Sequence, residues 1–152
     1  AVLDQWFTLP IFAWVLVWID FIERGSSKWR TWHAAVAETC SLLSYGLALF
    51  HDCGFEAALA AHVILAVYGG VRVQQVHGDR GSRVSLLLAV LNCMGFVLLK
   101  LLDHRLARYP LFQRFTGHFW SKVCDVLQFH FSFRFLSSVT HRAHQKRDVQ
   151  RQ

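Results

Sequence analysis

Val84-Ser85-Leu86-Leu87-Leu88-Ala89-Val90-Leu91-Asn92-Cys93-Met94-Gly95-Phe96-Val97-Leu98-Leu99 contains no charged residue. A helix rises about 1.5 Å per residue and the hydrocarbon layer of a bilayer is about 30 Å thick, so about 20 apolar residues cross it. Extended to Asp103, with Lys100 free to snorkel outward, this run is long enough. Working outward in both directions, similar runs occupy 3–22, 33–51, 55–73 and 116–138. The reading that follows is all-α: a multi-pass transmembrane helical bundle over residues 1–139, with five spans. Residues 140–152 are then expected to be a basic, disordered cytosolic tail.

Composition agrees. The 152 residues are 54% hydrophobic and only 17% charged, with 13 Phe and 6 Trp. A soluble helical bundle would need a charged face on each helix, and these runs lack one. The net charge of +6 does not indicate nucleic acid, because the basic residues lie between and after the runs and form no single stripe. The four cysteines (Cys40, Cys53, Cys93, Cys124) show no Cys-x-x-Cys spacing, and three of them sit in apolar runs as small hydrophobes. Cys53, in a short loop, has the option of a partner upstream. The chain opens on Ala1-Val2-Leu3-Asp4 without an initiator methionine, so either it is a fragment or something upstream has been removed, and missing upstream helices are among the expectations. No basic region or small-residue cleavage site precedes the first run, which is therefore not a signal peptide.

The connections break helical periodicity at Gly25-Ser26-Ser27, at His51-Asp52-Cys53-Gly54, at Gly78-Asp79-Arg80-Gly81 and near Tyr109-Pro110. Trp29 and Trp32, beside Lys28 and Arg30, have the character of membrane-interface anchors. Alternate connections and the tail carry ten cations: Arg24, Lys28, Arg30, Arg72, Arg80, Arg83, Arg142, Lys146, Arg147 and Arg151. The opposite side carries three, Arg105, Arg108 and Arg114. The richer side is expected to be cytosolic, and with it the C-terminus. The bilayer is thus the first partner.

Polar groups inside the spans are the candidates for function, because a central Lys, Arg or Asp costs about 2.5–3.5 kcal/mol on insertion scales. His62 and Asn92 read most simply as interhelical hydrogen-bonding groups, and Glu38 as one able to reach the interface. Ala57, Ala58, Ala60, Ala61, Gly69 and Gly70 mark a close helix contact on the third span. In the first span only Gln5 to Ile19 separate Asp4 from Asp20, roughly 22 Å of helix, so one of these acids enters the membrane or its edge. In the last span His118, Lys122 and Asp125 recur at i, i+4 and i+7 and share one face. A lysine and an aspartate three residues apart seldom satisfy each other when buried, so a further acid is expected.

At these residues the chain resembles the transmembrane protein 187 family. The likeness is carried by Leu3-Asp4-Gln5-Trp6, by Thr8-Leu9-Pro10-Ile11-Phe12-Ala13-Trp14, by Gly54-Phe55-Glu56 and by Leu101 through Phe131, above all Gly117-His118-Phe119-Trp120-Ser121-Lys122-Val123-Cys124-Asp125. It implies the C-terminal part of a longer multi-pass protein, with two or so helices upstream and no established biochemical function. More distantly, the chain is similar to the alkaline ceramidases and the progestin and adipoQ receptors, seven-helix membrane proteins with a buried zinc. In that likeness Leu3-Asp4-Gln5 resembles the aspartate of a Leu-Asp-Glu context, and His118-Phe119-Trp120-Ser121-Lys122 resembles a His-x-x-x-His whose second histidine is Lys122. The five spans would then be the last five of a seven-helix fold.

The departure alters the chemistry. An ammonium has no lone pair for a metal and repels a dication, and zinc in such a site needs about three protein ligands. No zinc or other cofactor is therefore expected, and no catalytic residue. Instead Lys122 is expected to stand in for the metal's charge and pair with Asp4, with His118 and Asp125 completing a buried polar network. Such a protein would be non-enzymatic, binding a lipid or a membrane-protein partner. The alternatives are a zinc-dependent lipid amidase completed from upstream, and a receptor-like or transport protein.

Overall fold

The computed structural model describes residues 2–106, 108–110 and 116–151, with side chains described in these ranges except at 2–7, 48, 100, 101, 103–105 and 151. Among the described residues the chain is helical and holds no strand. The helices are α1 (Val2–Arg24), α2 (Thr31–Ser44), α3 (Leu47–Phe50), α4 (Gly54–His77), α5 (Arg80–Leu106) and α6 (Gly117–Arg151).

Local chemistry sets several of these ends. Gly25 follows α1 at φ +77°, and its N–H bonds the Phe21 carbonyl at 2.9 Å, as a glycine just past a helix does because it has no Cβ to strain. Asp79 caps α5 reciprocally with Ser82: Ser82 N–H donates to Asp79 Oδ1 at 2.7 Å, and Asp79 N–H donates to Ser82 Oγ at 2.8 Å. Thr116 Oγ1 accepts from Phe119 N–H at 3.2 Å and starts α6.

Two expectations are corrected. The run 33–51 is not one continuous helix, since α2 ends at Ser44 and α3 begins at Leu47. Three-residue turns interrupt it, with Tyr45 N–H to Leu42 O at 3.3 Å and Gly46 N–H to Leu43 O at 2.9 Å, beside a Ser44 hydroxyl that bonds the Ser41 carbonyl at 2.6 Å. The segment 140–152 was expected to be disordered, yet its described residues continue α6 as helix to Arg151. Val139 and Ala143, four residues apart, are buried, so the helical face persists past the end of the apolar run.

The chain divides into two compact units, residues 1–77 with 139–152, and residues 78–138. In the first, α1 packs on α4 and α2, and α3 packs on α4. Leu9 with Phe55 and Ala58 forms a buried cluster, flanked by Tyr45 and Leu59. Gly69 lets α4 approach α1 closely: a Cβ there would lie 3.1 Å from Ile19 Cδ1. The sequence expectation of close packing through small residues on this helix is met at that point.

In the second unit α5 buries Ser82, Ser85, Ala89, Cys93 and Phe96, mostly small and three or four residues apart. Gly95 sits where a Cβ would come 3.0 Å from Cys124 Sγ on α6. The other face of α5 exposes Val84, Leu87, Leu91, Met94 and Leu98. Mostly small residues inside and large apolar ones outside invert the soluble pattern. Among the described residues two segments are long and apolar enough to cross a membrane, Gly54–His77 and Arg80–Leu99.

Candidate functional site

The i, i+4, i+7 stripe of α6 lies on successive turns of one helix, as its spacing requires. His118 is exposed, whereas Lys122 and Asp125 are half-buried, and none of the three is without an interaction partner. The beginning of the stripe is stiffened from within: Ser121, 1% exposed, donates its hydroxyl to the His118 carbonyl at 2.8 Å. Within this chain Lys122 and Asp125 are thus partly covered, and His118 is not. Asp4, the acid expected opposite Lys122, belongs to α1, and its side chain lies outside the described residues.

Among the described residues no three His, Cys, Asp or Glu side chains converge as a metal site requires. The stripe itself offers one imidazole and one carboxylate beside an ammonium, a donor set that does not fit the zinc of the ceramidase-like pattern. The four cysteines are free thiols.

A second polar junction joins α2 to α4. His62 Nδ1 lies 2.7 Å from the Ala58 carbonyl and Nε2 lies 2.9 Å from Ser41 Oγ. A carbonyl oxygen only accepts, so Nδ1–H donates to it, and in the neutral ring Nε2 accepts the Ser41 hydroxyl. Half of a nucleophile arrangement is thereby present. Ser41 is 2% exposed, however, and within this chain the pair forms an interhelical link. The interhelical expectation is met for His62. Among the described residues Asn92 Nδ2 instead donates to the Leu88 carbonyl of its own helix at 2.8 Å.

The third polar region surrounds the α1–α2 connection. Trp32 is 56% exposed and stacks on His33 with ring centroids 4.2 Å apart. Trp29 is half-buried, edge-on to Phe21 at 5.6 Å, and its buried indole nitrogen has no hydrogen-bond partner among the described residues. Of the two expected anchors, Trp32 is therefore turned outward and Trp29 is partly covered.

The far end of α6 reaches the same part of its unit. Trp18 Nε1 donates to Thr140 Oγ1 at 2.9 Å, and the Phe21 and His144 rings meet at 6.2 Å. Arg147 donates to the Ile22 carbonyl, and Lys146 Nζ donates to the Val76 carbonyl at 2.8 Å. These carbonyls lie in the last turns of α1 and α4, where backbone acceptors lack intrahelical partners and a cation is favoured. Sequence reasoning missed this cap. Its only sequence signal is Gly25, whose absent Cβ leaves room for the Arg147 guanidinium.

A family model described as the TMEM187 protein family matches residues 1–137. Transmembrane protein 187 of Homo sapiens is 58% identical over 137 residues, which are 90% of this chain and 51% of the human protein. Transmembrane protein 187 of Bos taurus is 56% identical over 139 residues, 91% of this chain and 53% of the cattle protein. The chain thus spans about half the length of the curated relatives it matches. No solved structure matches it.

Proposed function

Because this chain belongs to the TMEM187 protein family, we propose that it is a multi-pass integral membrane protein that acts by binding and not by catalysis. The bilayer is crossed five times, with the interrupted pair α2 and α3 making the second crossing and the C-terminus in the cytosol. The observation that carries this reading is the largely inside-out character of α5, which exposes Val84, Leu87, Leu91, Met94 and Leu98 while burying two serines, an alanine, a cysteine and one phenylalanine. In water such a face would be a large exposed apolar patch; in lipid it is solvated. A broken second crossing is tolerable where protein satisfies the freed backbone groups, and Leu43, Leu47, Leu49 and Phe50 give it an apolar exterior.

The non-enzymatic part rests on Lys122, which the resemblance to the ceramidase-like pattern sets where that pattern has a metal-binding histidine, and an ammonium has no lone pair for a metal. The scaffold is then ceramidase-like with a degenerate metal site, and its role is to hold a lipid or a membrane-protein partner. The topology is tested by thiol labelling in sealed vesicles. Exposed Cys53, in the α3–α4 connection, should react with an impermeant maleimide only from the face opposite a C-terminal tag. Finding Cys53 and the tag on one face would overturn the five-crossing arrangement.

A further inference from the structure

Between α1 and α2 lies a cleft of about 380 Å³, open along its side and within the size range of small-molecule sites. The two helices pack together across a short connection, so they run antiparallel. Their lining residues grade in the same direction. At one end Leu16 and Val17 of α1 face Val36 and Ala37 of α2, and the walls are apolar. At the other, towards the connection, Asp20 and Arg24 of α1 meet His33 and Trp32 of α2. A cleft apolar at one end and charged at the other, built on membrane helices and ending beside an interfacial tryptophan, has the shape of an amphiphile.

The polar end carries both signs of charge. Arg24 Nε donates to Asp20 Oδ1 at 2.6 Å, which engages one of the guanidinium's donors, and about half of the Arg24 side chain remains exposed. Phosphate oxygens are the natural acceptors for the rest. On the facing wall Trp32 and His33 form a stacked aromatic surface, with Trp32 more than half exposed. An aromatic face beside a carboxylate is a recognition surface for a quaternary ammonium. A simple anionic lipid would leave Asp20 opposed to its charge, and a sterol would offer neither the remaining guanidinium donors nor the carboxylate a charged group.

We propose that the α1–α2 cleft binds a phospholipid with a phosphocholine headgroup, its phosphate on Arg24, its quaternary ammonium over Trp32 near Asp20, and one acyl chain between Leu16, Val17, Val36 and Ala37. The proposal names the ligand class and the site for the lipid-binding reading above and rests on it, since it requires α1 and α2 to lie in the bilayer.

The test uses the full chain in lipid nanodiscs containing a photoactivatable phosphatidylcholine, with cross-linked peptides located by mass spectrometry. Cross-links should concentrate on residues 16–24 and 32–37. Added phosphatidylcholine should suppress them more strongly than phosphatidylglycerol does. Trp32→Ala should lower this labelling about fivefold, the effect of losing a partly exposed cation–π contact, while Trp32→Phe should retain most of it. Leu16→Trp, which fills the apolar end without touching the polar one, should also reduce it, and a melting curve of each variant shows that the fold survives. Labelling spread evenly over the helices, or equal competition by phosphatidylglycerol, would overturn the proposal. Extraction of the chain by alkaline carbonate would instead overturn the membrane reading, so the two failures are distinct.

Discussion

α5 and α6 are both long helices of one chain, yet they satisfy their surroundings by opposite means. Between Val84 and Leu99 α5 carries no charge, buries mostly small side chains besides Phe96 and turns other large apolar ones outward. It needs a solvent of the right polarity and one close contact, at Gly95. α6 carries His118, Lys122 and Asp125 near its start and Lys146 and Arg147 near its end, and each of these requires an acceptor or a counter-charge. An apolar helix is specified by its environment. A charged one is specified by particular neighbours, and its behaviour depends on them.

The largest expected effect breaks the apolar side of this contrast. Leu91→Arg, on the outward face of α5, should raise the cost of membrane insertion by about 2.5–3.5 kcal/mol, measured as the inserted fraction in a glycosylation assay. An unchanged fraction would mean that this face does not meet lipid. Next, Gly95→Val should destabilise the fold by about 1–3 kcal/mol, seen as a lowered melting temperature in detergent, because the added atoms meet Cys124 Sγ. Gly69→Val sharpens the comparison by placing the same overpacking against Ile19 in the other unit.

On the charged side, Arg147→Ala should cost about 1–2 kcal/mol, since the Ile22 carbonyl loses its charged donor and the C-terminal end of α1 loses a compensating cation. Faster amide hydrogen exchange in residues 139–151 is the readout, and wild-type protection in the variant would show that the cap does not hold this segment. Lys146→Ala should act in the same direction with a smaller effect, because its side chain is exposed. The smallest change is expected at the α2–α4 link. Ser41→Ala removes one interhelical hydrogen bond, about 0.6 kcal/mol, and only a double-mutant cycle with His62→Phe isolates it.

The apolar runs, and with them the helical class, were legible because hydrophobicity over about 20 residues is a property of consecutive residues alone. The ends of α1 and α5 could be read from Gly25 and Asp79, whose roles depend on conformations within a few residues. The interruption of the second run was not. Ser44 and Gly46 both occur within helices elsewhere, and the choice of a three-residue turn at that point lies in backbone geometry. The candidate stripe on α6 was legible as a face, because helical periodicity fixes it, whereas the exposure of His118 depends on what covers that face.

By itself, the sequence determined family membership, the helical class and the apolar segments, since each follows from residue type and order. Tertiary structure alone decided that residues 139–151 are helical, that Arg147 and Lys146 serve the carbonyls of α1 and α4, and that Asp20, Arg24 and Trp32 border one cleft. Arg147 and Ile22 lie 125 positions apart. No local rule brings such groups together, because the free energy of satisfying an orphan carbonyl exists only once the helices that carry both partners have packed.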